Sequence, residues 1–103
     1  MMPGFATTPE PPYYAVIFTS KRTEGDHGYN AMMEVIAGLS VEQPGYLGRE
    51  SARTAEGFGV TVIYYKDEAS IRAWKQNEKH LAAQRIGKQR WYEHYEMRVA
   101  KVE

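Results

Sequence analysis

The segment YYAVIFTSK (Tyr13 to Lys21) places apolar or aromatic side chains at successive positions, with Val16 and Phe18 on one side of an extended chain and Ile17 on the other. FGVTVIYYK (Phe58 to Lys66) repeats this, setting Phe58, Val60, Val62 and Tyr64 against Ile63 and Tyr65. Strands of this kind need cover on both faces of their sheet, which excludes a sheet with one wet face.

The rest of the chain supplies cover for one face only. After the punctuation RTEGDHG, the residues Tyr29, Met32, Met33, Ile36 and Leu39 recur at helical spacing as far as Ser40 or Glu42, with Asp26 as the expected N-cap. QPGYLG (Gln43 to Gly48) is a turn into a second strand that runs to about Arg53. TAEG (Thr54 to Gly57) then closes a hairpin onto the strand from Phe58. A second helix is expected from Asp67 to about Ile86, with Gly87 just past its end, and RWYEHYEMRVAKV alternates as a last strand. The order is βαββαβ, an α+β ferredoxin-like arrangement on one antiparallel sheet. Residues 1–12, with Pro3, Pro9, Pro11 and Pro12, form an extended arm, and residues 13–103 form the single domain. Two helices cover one face of such a sheet. The other face is expected to pack against a second copy, giving a homodimer joined sheet to sheet.

Composition narrows the partners. A chain of 103 residues is too short for two cores. Thirteen basic residues balance 13 acidic ones, which lacks the electrostatic footprint of a nucleic-acid or anionic-membrane partner. No cysteine is present, so thiolate nucleophiles, disulfides and thiolate metal sites are excluded, as suits a reducing cytoplasm. The start lacks the basic and apolar regions of an export signal, and no apolar run approaches the roughly 20 residues of a membrane helix. The expectation is a soluble, cytoplasmic protein.

Four stretches carry a family resemblance: PPYYAVIFTS, QPGYLG, SIRAWKQNEKHLAAQ and GKQRWYEHYEMRVAKVE. Together they resemble the antibiotic biosynthesis monooxygenase (ABM) family, specifically its small stand-alone bacterial members, over nearly all of the chain from Pro12 onward. The resemblance implies a dimeric α+β barrel in which each protomer keeps a cavity between its helices and its sheet. The superfamily includes cofactor-free monooxygenases of anthrones and quinols, haem-degrading enzymes, chlorite and peroxide chemistry on haem, muconolactone isomerases and members without known activity.

The second helix bears the candidate chemistry. At about 100° per residue, Ile71, Trp74, Glu78, Leu81 and Arg85 share one direction, while Ala73, Asn77, His80 and Gln84 form an adjoining stripe. Trp74 with Ile71 and Leu81 is the pattern of a core-facing stripe. On the functional reading, Asn77, His80 and Gln84 line a cavity mouth, where His80 is the candidate proton acceptor because imidazole titrates near neutral pH. Haem-degrading members resembling this chain carry an asparagine in the first strand and an axial histidine about ten residues after the helical tryptophan. Here the first strand has no asparagine, and Gln84 stands ten residues after Trp74. His80 comes six residues after it, on another side of the helix. Haem chemistry is therefore disfavoured and stands as a further alternative only if a loop or kink near Asn77 re-aims His80; no cofactor is expected.

Other groups carry less. His27 belongs to a polar loop, and His94 is expected on the same face of the last strand as Tyr92 and Glu96, as an edge or interface residue. Glu78 and His80 are two apart on a helix and make no ligand pair, so no metal site is expected. The glycines of QPGYLG and EGFG fall in turns and form no phosphate loop. RIGKQR (Arg85 to Arg90) is a small solvated basic cluster.

Eight tyrosines, two tryptophans and three phenylalanines make the chain rich in aromatic groups, most of which belong to the packing of the sheet and the dimer interface. Tyr64, Tyr92 and Tyr95 are the candidates for binding a flat phenolic ligand. A cofactor-free oxygenase needs an apolar pocket, a base and a donor to an oxyanion, since the deprotonated substrate itself reduces O₂. His80 as base, with Trp74, Asn77 or a tyrosine as donor, meets that need. Two functions follow as expectations: a cofactor-independent monooxygenase of a small aromatic or quinol-like compound, and a non-catalytic dimeric domain that binds a small molecule or serves a structural role. A cavity with polar groups converging beside Trp74 and His80 favours the first, and a cavity filled by the protein's own side chains favours the second.

Overall fold

The computed structural model describes residues 4–26, 28–77, 82, 85 and 90–103. Its elements are β1 (Tyr13–Arg22), α1 (Tyr29–Glu42), β2 (Tyr46–Arg53), β3 (Phe58–Tyr65), α2 (Glu68–Lys75) and β4 (Tyr92–Val102). The expected βαββαβ order is present. The sheet runs β2-β3-β1-β4, and its neighbouring strands are all antiparallel. The two central strands are the two that are apolar on both sides, as burial on a sheet's interior demands.

Strand register assigns the faces. Val16 pairs with Ile63 and Val99, and Phe18 pairs with Thr61 and Met97, so these side chains lie on the face that α1 and α2 cover. Val16, Tyr65, Ile71 and Trp74 form the buried core there, with Tyr14, Ile36, Leu39, Tyr46, Ile63 and Met97 packed around them. The Tyr65 hydroxyl is buried in that core, and burial raises its pKa to about 12. Ile17, Val60, Val62 and Tyr64 point the other way. The arm from residue 4 to 12 touches that outer face, where the Ala6 amide donates to Glu50 Oε2 at 3.1 Å and Thr8 Oγ1 lies 3.0 Å from the Tyr13 hydroxyl.

The helix ends differ from expectation in instructive ways. Gly28, with φ of 85°, is the residue that caps α1. Asp26 still serves the helix start from two residues further out, its carboxylate accepting from the amides of Gly28 (2.9 Å) and Asn30 (3.0 Å). Asp67 caps α2, accepting from the Ser70 amide at 2.8 Å and the Ser70 hydroxyl at 2.7 Å, and these bonds lower its pKa. The expected continuous helix from Asp67 to Ile86 is corrected: α2 stops at Lys75, and Gln76 and Asn77 are not helical. Ala82 and Arg85 are helical again. Lys-Gln-Asn lacks strong helix formers at its end, since asparagine competes for backbone bonds with its own side chain. β2 begins at Tyr46, so the last three residues of the expected turn, Tyr46 to Gly48, belong to the strand; Gly45, at φ 88°, supplies the left-handed position of the turn.

Candidate active site

A cavity of about 220 Å³ lies between α1 and the sheet. Its floor is Val16, Phe18, Ile63 and Met97, and its roof is Met33, Ile36, Ala37 and Ser40 from α1. Of the α1 residues predicted to face the core, Tyr29, Met33, Ile36 and Leu39 do so, and they are half-buried. The space beneath part of that helix is open rather than filled by side chains.

Each end of the cavity has its own chemistry. Trp74 closes one end and is itself only 2% exposed, so it is both a core residue and a wall of the cavity. At the other end Tyr29, Trp91, Tyr92 and Tyr95 form an aromatic cluster with Phe18. Phe18 lies 5.4 Å from both Tyr92 and Tyr95, and Tyr29 stands edge-on to Trp91 at 5.8 Å. Trp91 is fixed through its carbonyl, which accepts from the Thr23 amide at 2.8 Å and from Arg22 Nε at 3.2 Å. The Arg22 guanidinium stacks on the Tyr29 ring, 3.5 Å from its centre.

A bulge explains how Tyr92 and Tyr95 come to share the cavity. Strict alternation places residues three apart on opposite faces. In β4 the register shifts, so that Lys21 pairs with His94 and Arg22 with Tyr92, leaving Glu93 as the extra residue. Tyr92 thus turns inward with Tyr95. His94, expected beside Tyr92, instead faces outward with Glu96, 3.7 Å from its carboxylate and largely exposed. Burial, and then the neighbouring Tyr29 hydroxyl, raise the Tyr92 pKa far above that of a free phenol. Near neutral pH Tyr92 therefore keeps its phenol proton.

The other predicted site residues separate. Tyr64 does not reach the cavity; its partner Ala15 lies on the outer face. Its hydroxyl donates to Glu50 Oε1 at 2.5 Å and its ring meets Tyr13 edge-on at 5.6 Å. That bond raises the Tyr64 pKa to about 12 and lowers that of Glu50. Asn77 lies just beyond α2, its amide bonded to the Trp74 carbonyl at 3.1 Å, and it is not among the residues that line the cavity. His80 and Gln84 lie outside the described residues.

Sequence reasoning missed the wall that β2 supplies. Arg49, Ser51 and Arg53 alternate along this edge strand and face the cavity. Arg53 crosses β3 to reach Ser20 on β1, with Nη2 2.9 Å from Ser20 Oγ and Nη1 2.6 Å from the Gly57 carbonyl. It fits only because residue 59 is glycine: a Cβ there would stand 2.6 Å from the guanidinium carbon. The alternation of the two arginines is visible in the sequence. Which face they occupy is settled by the register with β3.

With this geometry in view, comparison with known proteins places the chain. A family model described as antibiotic biosynthesis monooxygenase matches residues 13–86, and the chain belongs to that family. It is 48% identical over 103 residues to YqjZ of Bacillus subtilis (strain 168), a protein described as uncharacterized, covering all of this chain and 90% of that one. Among solved structures, the fold is similar to SnoaB, a cofactor-independent oxygenase from Streptomyces nogalater, with a TM-score of 0.75 and 10% identity over 90% of this chain and 95% of that one. It is also similar to a conserved protein from Methanosarcina mazei Go1, with a TM-score of 0.78 and 7% identity over 89% and 94% of the two chains. At such identities these two structures speak for the shared fold. No helix among the described residues is long and apolar enough to cross a membrane.

Proposed function

We propose that the protein is a cofactor-independent monooxygenase that oxidises a small aromatic or quinol-like compound in the cavity beneath α1. The observation that carries this reading is the open cavity itself, walled by Trp74 at one end and by Tyr29, Tyr92 and Tyr95 at the other, in a member of the ABM family. A purely structural domain has no need of that space; a domain that only binds a small molecule does, and oxygen turnover is what separates it from an oxygenase. The cofactor-free oxygenase SnoaB, whose fold is similar, is the precedent.

The reaction balances without a cofactor. A base removes a proton from an acidic ring CH₂ or hydroxyl, and the resulting anion passes electrons to O₂. For a ring CH₂, one oxygen atom ends as the new C=O and the other leaves as water with the two hydrogens. The aromatic walls hold the ring flat, and the Tyr92 hydroxyl, kept protonated by burial, donates to the developing oxyanion. His80 is the base on the sequence argument alone.

The functional unit is a homodimer on this reading. Phe58, at 53% exposure, and Ile17, Val60 and Val62 lie on the outer face of the sheet, where an apolar surface calls for a second copy. Oxygen uptake by the purified protein, measured against a panel of quinols and anthrones with haem added only in a separate series, tests the activity. Uptake without haem that is lost in His80→Ala is the expected result. Folded protein that consumes no oxygen with any of these compounds, or turnover indifferent to His80→Ala, speaks against the proposed chemistry or its base.

A further inference from the structure

We propose that the substrate is an aromatic acid of one or two rings, its carboxylate held along β2 between Arg49 and Arg53 beside the Ser51 and Thr61 hydroxyls. This rests on the oxygenase reading for the chemistry at the ring and adds the chemical class of the compound.

Uncompensated charge is the first support. The chain as a whole is neutral, yet the described residues that line the cavity include two arginines and no carboxylate. Glu96 on β4 pairs with His94 and Arg98 on the far side of the sheet from this wall. Arg53 is instead held by neutral oxygens, the Gly57 carbonyl and the Ser20 hydroxyl. A guanidinium fixed by neutral acceptors keeps its full charge for a ligand, and its planar fork suits a carboxylate better than any other common group. Behind it, Arg22 stacks on Tyr29 and adds a third cation at the same end.

Geometry is the second. Arg49 and Arg53 are four residues apart on one face of an edge strand, roughly 13 Å along its axis. Ser51 lies between them, its hydroxyl 3.0 Å from that of Thr61 on β3, and both hydroxyls line the cavity. The charged groups thus lie on one wall, while the floor is apolar and the roof is apolar apart from Ser40, whose hydroxyl donates to the Ile36 carbonyl. A ligand with a flat apolar body and a single anionic edge matches that division. Size is the third support: about 220 Å³ lies below the roughly 300–1,000 Å³ of pockets for drug-sized ligands, which favours one or two rings over the larger polycyclic frames.

Gly59 makes the idea testable without deleting a charge. Its replacement by alanine meets only the far end of the flexible Arg53 side chain, so the strand is retained while the guanidinium is displaced. Trp74 and Trp91, the two tryptophans of the chain, both line the cavity and report its occupancy by fluorescence. The experiment compares the binding of a hydroxynaphthoate with that of the corresponding naphthol, by tryptophan quenching and by calorimetry. The expected result is a preference of about tenfold or more for the acid, which collapses toward parity in Arg49→Gln, Arg53→Gln and Gly59→Ala proteins whose thermal unfolding stays cooperative. Equal binding of both compounds, binding of neither, or a preference that survives all three substitutions overturns the proposal. The two readings fail separately. An acid preference in a protein that never consumes oxygen removes the oxygenase and leaves the subsite; oxygen consumption with neutral quinols and no acid preference does the reverse.

Discussion

Tyr92 and Tyr95 face the same cavity, their ring centres 5.8 Å apart, because Glu93, between Tyr92 and His94, is looped out of the ladder with β1. Deleting Glu93 turns the bulge into regular pairing and keeps both rings inside. Deleting Glu96 instead removes the bulge by moving Glu93, His94 and Tyr95 one place along the ladder, which sends Tyr95 to the outer face and His94 into the cavity while Tyr92 stays opposite Arg22. The Glu93 deletion is therefore expected to fold and bind an aromatic probe, and the Glu96 deletion to lose both cooperative unfolding and binding. Thermal melts and fluorescence titrations of the two proteins decide the matter; equal tolerance of both deletions contradicts the register.

Trp74 carries packing and cavity wall together. It is nearly fully buried beside Val16, Tyr65 and Ile71, so Trp74→Ala is expected to cost roughly 3–5 kcal/mol in urea unfolding. Trp74→Phe keeps most of the volume and removes the N–H. The expected outcome is a folded protein with reduced turnover, which separates the indole's chemistry from its bulk. An Ala variant as stable as the parent refutes the core role.

Much of this architecture was legible because it rests on local, periodic signals. Strands apolar on both sides, the α1 stripe from Tyr29 to Leu39 and the turn glycine at Gly45 all act through near neighbours, and the structure has them where the pattern put them. The α2 end and the β4 bulge were not legible. A helix boundary inside a polar stretch such as Lys75 to Asn77 costs little either way, and a bulge is decided by the partner strand. The cavity needs the sheet register before any side chain can be assigned to it. That is why Tyr64, an adequate candidate by type, stands on the wrong face, while Arg49 and Arg53 went unnoticed.

The Asp67 cap predicts a pH dependence with a definite sign. Its bonds to Ser70 lower the folded pKa, so the stabilisation is complete above the unfolded value of about 4 and is lost as pH falls through the folded value. The difference in urea midpoint between the parent and Asp67→Ala is expected to be largest near neutrality and to vanish in acid. A difference that stays constant across that range contradicts the cap.

Val62 tests assembly. Its partners Ile17 and Glu50 place it on the outer face, away from α1 and α2. Light scattering of the parent at micromolar concentration is expected to give about twice the 11.8 kDa chain mass, and Val62→Glu a folded monomer. A stable parent monomer excludes the sheet-to-sheet dimer.

Isotopically labelled dioxygen tests the oxidation most directly. With a substrate that supports oxygen uptake at a reacting ring CH₂, the haem-free protein is expected to place one labelled atom in the product and release the other as water, with no label entering the product from labelled water. A product whose new oxygen comes from the solvent, or one that carries both atoms of O₂, contradicts monooxygenation in this cavity.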